Sequence, residues 1–293
     1  MELENRPSPQ NVRSGALDGS AEGPGFPPSS LRVVSGIDPV DAGQEAHPPG
    51  LLILNADDWG RDRNTTDKTL DCMLRGALSS VSAMVFMEDS ERAAALGRHR
   101  GIDAGLHLNF TTPFSAANCP ARLVECQHKV AAYLLRTPLA RGIFHPLLTR
   151  SFEYLVTAQR EEFCRLYGAE PKRFDGHHHM HLSANVLLGG LLPAGTLVRQ
   201  HFSYESGEKV LRNSVFRQVT RVVLARRHRV VDFLFSLPPL EPPDRLQRIF
   251  SLARQFAVEV ETHPFNPKEH LFLTGGDIFR YAGTCPIAPR FAA

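Results

Sequence analysis

From Leu51 onward the apolar residues fall into short unbroken runs, separated by longer stretches where they recur at helical spacing. Residues 51–54 are wholly aliphatic and run into Asn55, as expected of a strand covered on both faces. Comparable runs at 80–86, 104–110, 172–181, 196–202, 230–235 and 257–262 read as six further strands. Between them, 66–75, 90–98, 151–167, 185–192, 213–226 and 243–256 carry helical patterning. The helix at 151–167 is the clearest. Phe152, Leu155, Val156, Phe163 and Leu166 share one face, with Gly168 and Pro171 past its end. Residues 112–148 look looser, broken by Pro113, Pro120, Pro138 and Pro146.

Strand and helix alternating about seven times predict an α/β fold with parallel strands, either a barrel or an open doubly wound sheet. Both folds gather function at the carboxyl ends of the strands. Here those ends carry Asp57 and Asp58, His107, a histidine run, Arg199 and His263. Residues 1–48 differ in texture, being rich in Pro, Gly, Ser and acids, and are expected to form a disordered tail. The expected organisation is that tail, a single domain over 49–283, and a C-terminal tail at 284–293.

Composition narrows the partners. With 33 Lys+Arg against 31 Asp+Glu, the net charge of +2 gives no electrostatic reason to expect nucleic acid or an anionic membrane. Five scattered cysteines without a CxxC pair signal neither a disulfide framework nor a thiolate zinc site. The sequence has no apolar run long enough to span a bilayer and no basic-then-apolar leader, so a cytoplasmic protein is expected.

The chemistry concentrates in three strand ends. Asp57-Asp58 follows an apolar strand, and neighbouring side chains there point in different directions. One carboxylate can then face a metal while the other faces a water beside it. A lone DD pair is more often a helix cap or solvated turn, and a lone His107 more often a satisfied core residue. The run His177, His178, His179 and His181 tips the balance. On a strand, His177, His179 and His181 would share one face, opposite His178 and Met180. Histidine with carboxylate suits a divalent transition metal. His263, ending the last strand, reads equally as a cap or a proton donor.

Taken in order, Asn55-Ala56-Asp57-Asp58-Trp59-Gly60, Gly105-Leu106-His107-Leu108, Asp175-Gly176-His177-His178-His179-Met180-His181 and His263-Pro264 resemble the YdjC-like carbohydrate deacetylases. That family includes chitooligosaccharide deacetylases and relatives associated with hopanoid biosynthesis. The resemblance runs over residues 51–280. It implies a distorted TIM-like (β/α) barrel that hydrolyses the acetyl group from an N-acetylated amino sugar with one divalent ion, Mg or Zn first, Co or Ni as alternatives. It makes Asp58, His107 and His177 the metal ligands, Asp57 the general base and His263 the proton donor. Arg199 and Trp59 would lie by the substrate, Trp59 where the family usually has Phe, and His179 and His181 in the cleft or behind the ligands. Gly176 replaces a frequent Ser.

The partners implied are the sugar and, as one option, a second copy in a homodimer. Neither nucleic acid nor an integral membrane segment is expected. Two rivals stand beside this reading. One is a phosphoesterase or other amidohydrolase, whose sites often hold two metals; the other is a carbohydrate-binding protein without turnover.

Overall fold

The computed structural model describes residues 50–203, 211–283 and 285–291, so the expected tail at 1–48 lies outside the described residues. The chain runs β1 (Leu51–Trp59), α1 (Arg63–Leu74), β2 (Ser80–Ala83), α2 (Ser90–Arg100), β3 (Ala104–Leu108), α3 (Ala121–Leu134), α4 (Thr149–Tyr167) and β4 (Arg173–Gly176). It continues through α5 (Ala184–Leu188), β5 (Leu197–Val198), α6 (Leu211–Ala225), β6 (Phe233–Ser236), α7 (Pro243–Leu252), β7 (Ala257–Thr262), α8 (Pro267–Thr274) and α9 (Asp277–Ala282). The seven strands are all parallel, in the order β5-β4-β3-β2-β1-β7-β6. The two edges meet. Leu197 bridges to Arg229 ahead of β6, and the Ser203 amide donates to the Leu234 carbonyl at 2.8 Å. The sheet is a distorted (β/α) barrel, as the resemblance implies.

All seven expected strands exist, several of them shorter than the apolar runs. Helix α3 was not expected, because prolines punctuate its neighbourhood. Pro120 in fact sits at its amino end, where a missing N–H costs nothing. Its buried stripe is Leu123, Gln127, Val130 and Leu134, and the polar Gln127 masks the periodicity. That side chain is occupied, accepting from the Phe114 amide and donating to the Thr112 carbonyl.

Alternation along the strands sorts the residues into two environments. Leu52, Leu54 and Ala56 of β1, with Leu106, Phe174, Val258 and Val260, belong to the large apolar layer shared with the helices. The barrel interior is layered differently. At the amino-terminal end of the strands, Ile53, Leu197, Val231 and Ala257 make a small separate cluster, completed by Ala288 and Phe291. Residues 285–291 are therefore packed rather than a free tail. The Ala288 amide donates to the Leu52 carbonyl at 2.8 Å, and Phe291 lies 4.5 Å from the Arg173 guanidinium. Above this floor the interior turns polar, with Asn55, Ser80, Ser82, Arg173, Asp175, Arg199, Glu259 and Glu261 all buried.

Gly105 makes room for one of these groups. A Cβ there would stand 2.7 Å from Arg173 Nε, inside contact distance. Arg173 donates to the Val81 carbonyl at 2.9 Å and cannot simply move aside. Gly105→Ala is expected to destabilise the fold by about 1–3 kcal/mol, the usual cost of overpacking. Urea denaturation checks it, and an unchanged midpoint would show that the guanidinium has slack.

Candidate active site

Strand β1 ends in an irregularity that sets the site. Its register with β2 shifts between Ala56 and Trp59, and Asp58 adopts a left-handed backbone with φ of 66°. A bulge inserts one residue and re-aims the side chains beyond it. Asp57 keeps the inward direction of Ile53 and Asn55, and Asp58 is turned to the same cleft instead of away from it. The shift also reverses Trp59, which is fully buried in the apolar layer under the helices. Trp59 is thus not beside the substrate cleft, contrary to the expectation from the family motif. Asp62 then caps α1, accepting from the Thr65 amide at 2.8 Å.

Asp58, His107 and His177 converge. Asp58 Oδ1 lies 2.9 Å from His177 Nδ1 and 3.4 Å from His107 Nε2. Two atoms at this point, Asp58 Oδ1 and His107 Nε2, are buried without a hydrogen-bond partner. His107 is oriented from behind, its Nδ1 2.8 Å from Asp175 Oδ1, so Nε2 is the atom left facing Asp58. Burial works against charge on Asp58, yet the imidazoles of His107 and His177 beside it hold its carboxyl well below the usual range. Burial likewise works against a cation at His107, but Asp57, Asp175 and Asp58 outweigh it and push the imidazole up to about 10. A cluster that draws a proton onto a buried imidazole is short of positive charge. The donor set and its orphaned atoms fit a divalent cation.

Arg199 is the second centre. It is buried, and not in the cleft wall where substrate would touch it. Its Nη1 and Nη2 donate to Asp57 Oδ2 and Oδ1 at 2.6 and 2.8 Å, a two-pronged clamp. Nε donates to Glu259 at 2.8 Å, Nη1 reaches Glu261 at 3.0 Å, and Asp175 lies 3.4 Å away. Burial raises both Glu259 and Glu261 above the ordinary carboxylate range, and Arg199 opposes the rise. Asn55 donates to Asp57 from the other side at 2.9 Å.

The histidine run is not a strand. Strand β4 stops at Gly176, and residues 177–182 form tight 3-10 turns with His178 and His179 left-handed at φ of 55° and 56°. The expected division into two strand faces fails for that reason. His177, His178 and His179 all line the cleft, whereas His181 is buried behind it with Nε2 2.8 Å from the Arg199 carbonyl. Gly176 is needed here, since a Cβ would meet the His181 Cβ at 2.9 Å, which accounts for the absence of Ser. His263 lines the opposite wall, Nε2 3.9 Å from Glu261. Burial lowers its pKa, helped by His107 and Arg199 and resisted by Asp57 and Asp58. Its amide donates to Glu269, a carboxyl that burial pushes up to about 7.

The cleft measures about 460 Å³, ample for a sugar ring. Its wall includes Arg61, Phe202 and Phe265, the two phenylalanines not expected from the sequence. Arg61 donates to Asp58 Oδ2 at 2.7 Å and stacks on Phe265 at 4.3 Å. Asp175, Glu259 and Glu261 also went unassigned. The signal for them was legible, because acids at every second position of buried strands must point into the interior.

Residues 51–269 match the sequence family described as YdjC-like protein. Among individual relatives, the chain is 31% identical over 141 residues to a chitooligosaccharide deacetylase of Serratia marcescens, covering 46% of this chain and 52% of that one. It is also 31% identical over 146 residues to a carbohydrate deacetylase of Mus musculus, covering 48% and 46%. The matched stretch thus spans about half the length of these relatives. A crystal structure from Enterococcus faecalis V583, of a protein assigned to cellobiose-phosphate cleavage, shares the fold at a TM-score of 0.57 and 16% identity. That likeness covers 82% of this chain and 97% of that one.

Removing Arg199 tests the buried network. Arg199→Met is expected to cost about 3–5 kcal/mol at pH 7, as for any buried pair robbed of one partner. Without the guanidinium, Glu259 and Glu261 bind protons more tightly when folded than unfolded. Their contribution is then present at low pH and lost as pH rises. The deficit against the parent chain should therefore shrink at pH 5, read by denaturation at both values. An equal deficit at the two would mean the arginine acts by packing alone.

Proposed function

The chain belongs to the YdjC-like family, and on that premise we propose that it is a metal-dependent hydrolase removing the acetyl group from an N-acetylated amino sugar. The single observation that carries the reading is the convergence of Asp58, His107 and His177 beside Asp57, with orphaned atoms facing one point. The names of the two deacetylase relatives supply the substrate class. Asp58, His107 and His177 would hold the ion, with magnesium or zinc the first choices and cobalt or nickel next. A bound divalent ion would supply Lewis acidity to the acetyl carbonyl and to the attacking water.

The protein's own groups then divide the work. Asp57 takes the proton of the attacking water as general base. The Arg199 clamp and the Asn55 amide fix its carboxylate so that it need not reorganise during attack. His263 returns a proton to the leaving amine, and its lowered pKa makes the imidazolium a ready donor. His178 and His179, with Phe202 and Phe265, border the space where the sugar would lie. Arg199, His181 and Trp59 act from behind the wall rather than on substrate. We propose the cytoplasm as its compartment, in keeping with its five free cysteines.

The two-metal rival has two further candidate groupings among the described residues, Asp57 with Glu261 and His263 and Asp57 with His107 and Asp175. Both Asp57 oxygens are already engaged by Arg199 within 2.8 Å. A second ion would have to displace that pair, which favours the single-ion reading.

Asp57 and Asp58 separate the roles experimentally. Asp58→Asn should lose bound metal, because a neutral amide is a poorer ligand. Asp57→Asn should keep the metal and lose about 10²–10⁴-fold in turnover. Bound metal and acetate release from N-acetylglucosamine oligomers, measured side by side, decide between them. A metal-free Asp57→Asn variant would make Asp57 a ligand, and two ions per chain in the parent would favour the rival.

A further inference from the structure

The chemistry above leaves one surface unused, the stretch between α3 and α4. It is firmly built. The Asn185 side chain accepts from the His145 amide at 2.9 Å and donates to the His145 carbonyl at 3.0 Å. The Tyr133 hydroxyl donates to the Ile143 carbonyl at 2.7 Å, and its ring meets His145 edge-on at 4.7 Å. Asn185 follows shortly after the histidine turn, which ties this stretch to the cleft rim.

What the scaffold presents to solvent is apolar. Leu147 is 88% exposed, while Leu135, Leu139 and Ile143 are 59–62% exposed. Ile143, Phe144 and Leu147 line one shallow depression of about 430 Å³ together with Arg136. Single exposed leucines are ordinary, but a contiguous set around one depression marks an interaction surface.

Charge identifies the occupant. The chain as a whole is nearly balanced at +2, yet no Asp or Glu lies between Glu125 and Glu153, and none in residues 176–203. Arg136, Arg141 and Arg150 lie exposed among or beside the leucines. A second copy docking by the same face would set these arginines against one another. No helix among the described residues is long and apolar enough to cross a membrane.

We propose that this face docks on the surface of an anionic phospholipid bilayer. The leucines and Ile143 enter the headgroup boundary, and the three arginines pair with lipid phosphates. The net charge of the chain conceals this segregation, because acids elsewhere cancel the cations gathered here.

Flotation of the full chain with phospholipid vesicles tests the proposal without using turnover, so its failure leaves the deacetylase reading untouched. The chain should float with vesicles of phosphatidylcholine plus phosphatidylserine, stay behind with phosphatidylcholine alone, and be released by added salt. Arg136→Gln with Arg141→Gln should lower partitioning about 25-fold, from roughly five-fold per basic side chain near an anionic surface. Leu139→Ser with Leu147→Ser should weaken binding too, with an unchanged melting temperature because both residues are exposed. No flotation, or flotation that neither pair of substitutions weakens, overturns the proposal. So does a dimer, seen by sedimentation and abolished by the leucine pair, in a chain that ignores vesicles.

Discussion

The Arg199 guanidinium inside the barrel is the constraint to which the rest of the site answers. Arg199 stands among Asp57, Asp175, Glu259 and Glu261, where water cannot share the charge. Burying so many carboxylates is unfavourable unless a fixed cation and directed hydrogen bonds compensate them. The arginine enters from β5, the two glutamates from β7, and the aspartates from β1 and β4. The network therefore fixes the strands relative to one another, besides holding Asp57 for use. An apolar interior would pack more securely, but it could not present an aimed carboxylate at the mouth.

Around that centre, the cleft is assembled by departures from regular backbone. A straight strand would send Asp57 and Asp58 to opposite faces, and the bulge with left-handed Asp58 brings both to one. The two left-handed histidines after β4 do the same for the run, turning His177, His178 and His179 along the rim. Non-glycine residues in this region cost about 1–3 kcal/mol each and persist where surrounding structure enforces them. Three of the four such residues among those described, Asp58, His178 and His179, sit at the ends of β1 and β4 beside the cleft, and Phe86 after β2 is the fourth.

The legible part of this fold was its periodicity, and the illegible part was its exceptions. Seven aliphatic runs separated by helical spacing announce parallel strands, since a buried parallel strand has no solvent face to dilute its apolar residues. The strand ends then point to Asp57, Asp58, His107, His177 and His263 directly. Periodicity cannot show a bulge, and the family motif puts Trp59 by the substrate although it packs under the helices. Nor can it show that a polar side chain is satisfied internally. Gln127 hid α3 in this way, and Arg199 looked available to substrate although it is spent on carboxylates. Glu259 and Glu261 were more accessible to reasoning. Two acids spaced by two in a strand that must be buried on both faces can only point into a polar interior, and a polar interior needs a cation.

That cation also bears on how many metal ions the site can take. The grouping of Asp57, Glu261 and His263 has the donors for a second ion next to the first. Arg199 occupies the same electrostatic place, 2.6 Å from Asp57 and 3.0 Å from Glu261. An ion there would have to break a two-pronged, wholly buried clamp and leave the guanidinium facing Glu259 beside a new positive charge. A covalently tethered cation needs no supply from solution and cannot be lost to a chelator. On the proposed reading, one exchangeable ion at Asp58, His107 and His177 would stand in front of one permanent guanidinium behind Asp57. In a two-metal hydrolase both positive charges would be exchangeable. Here one of them is written into the sequence at position 199.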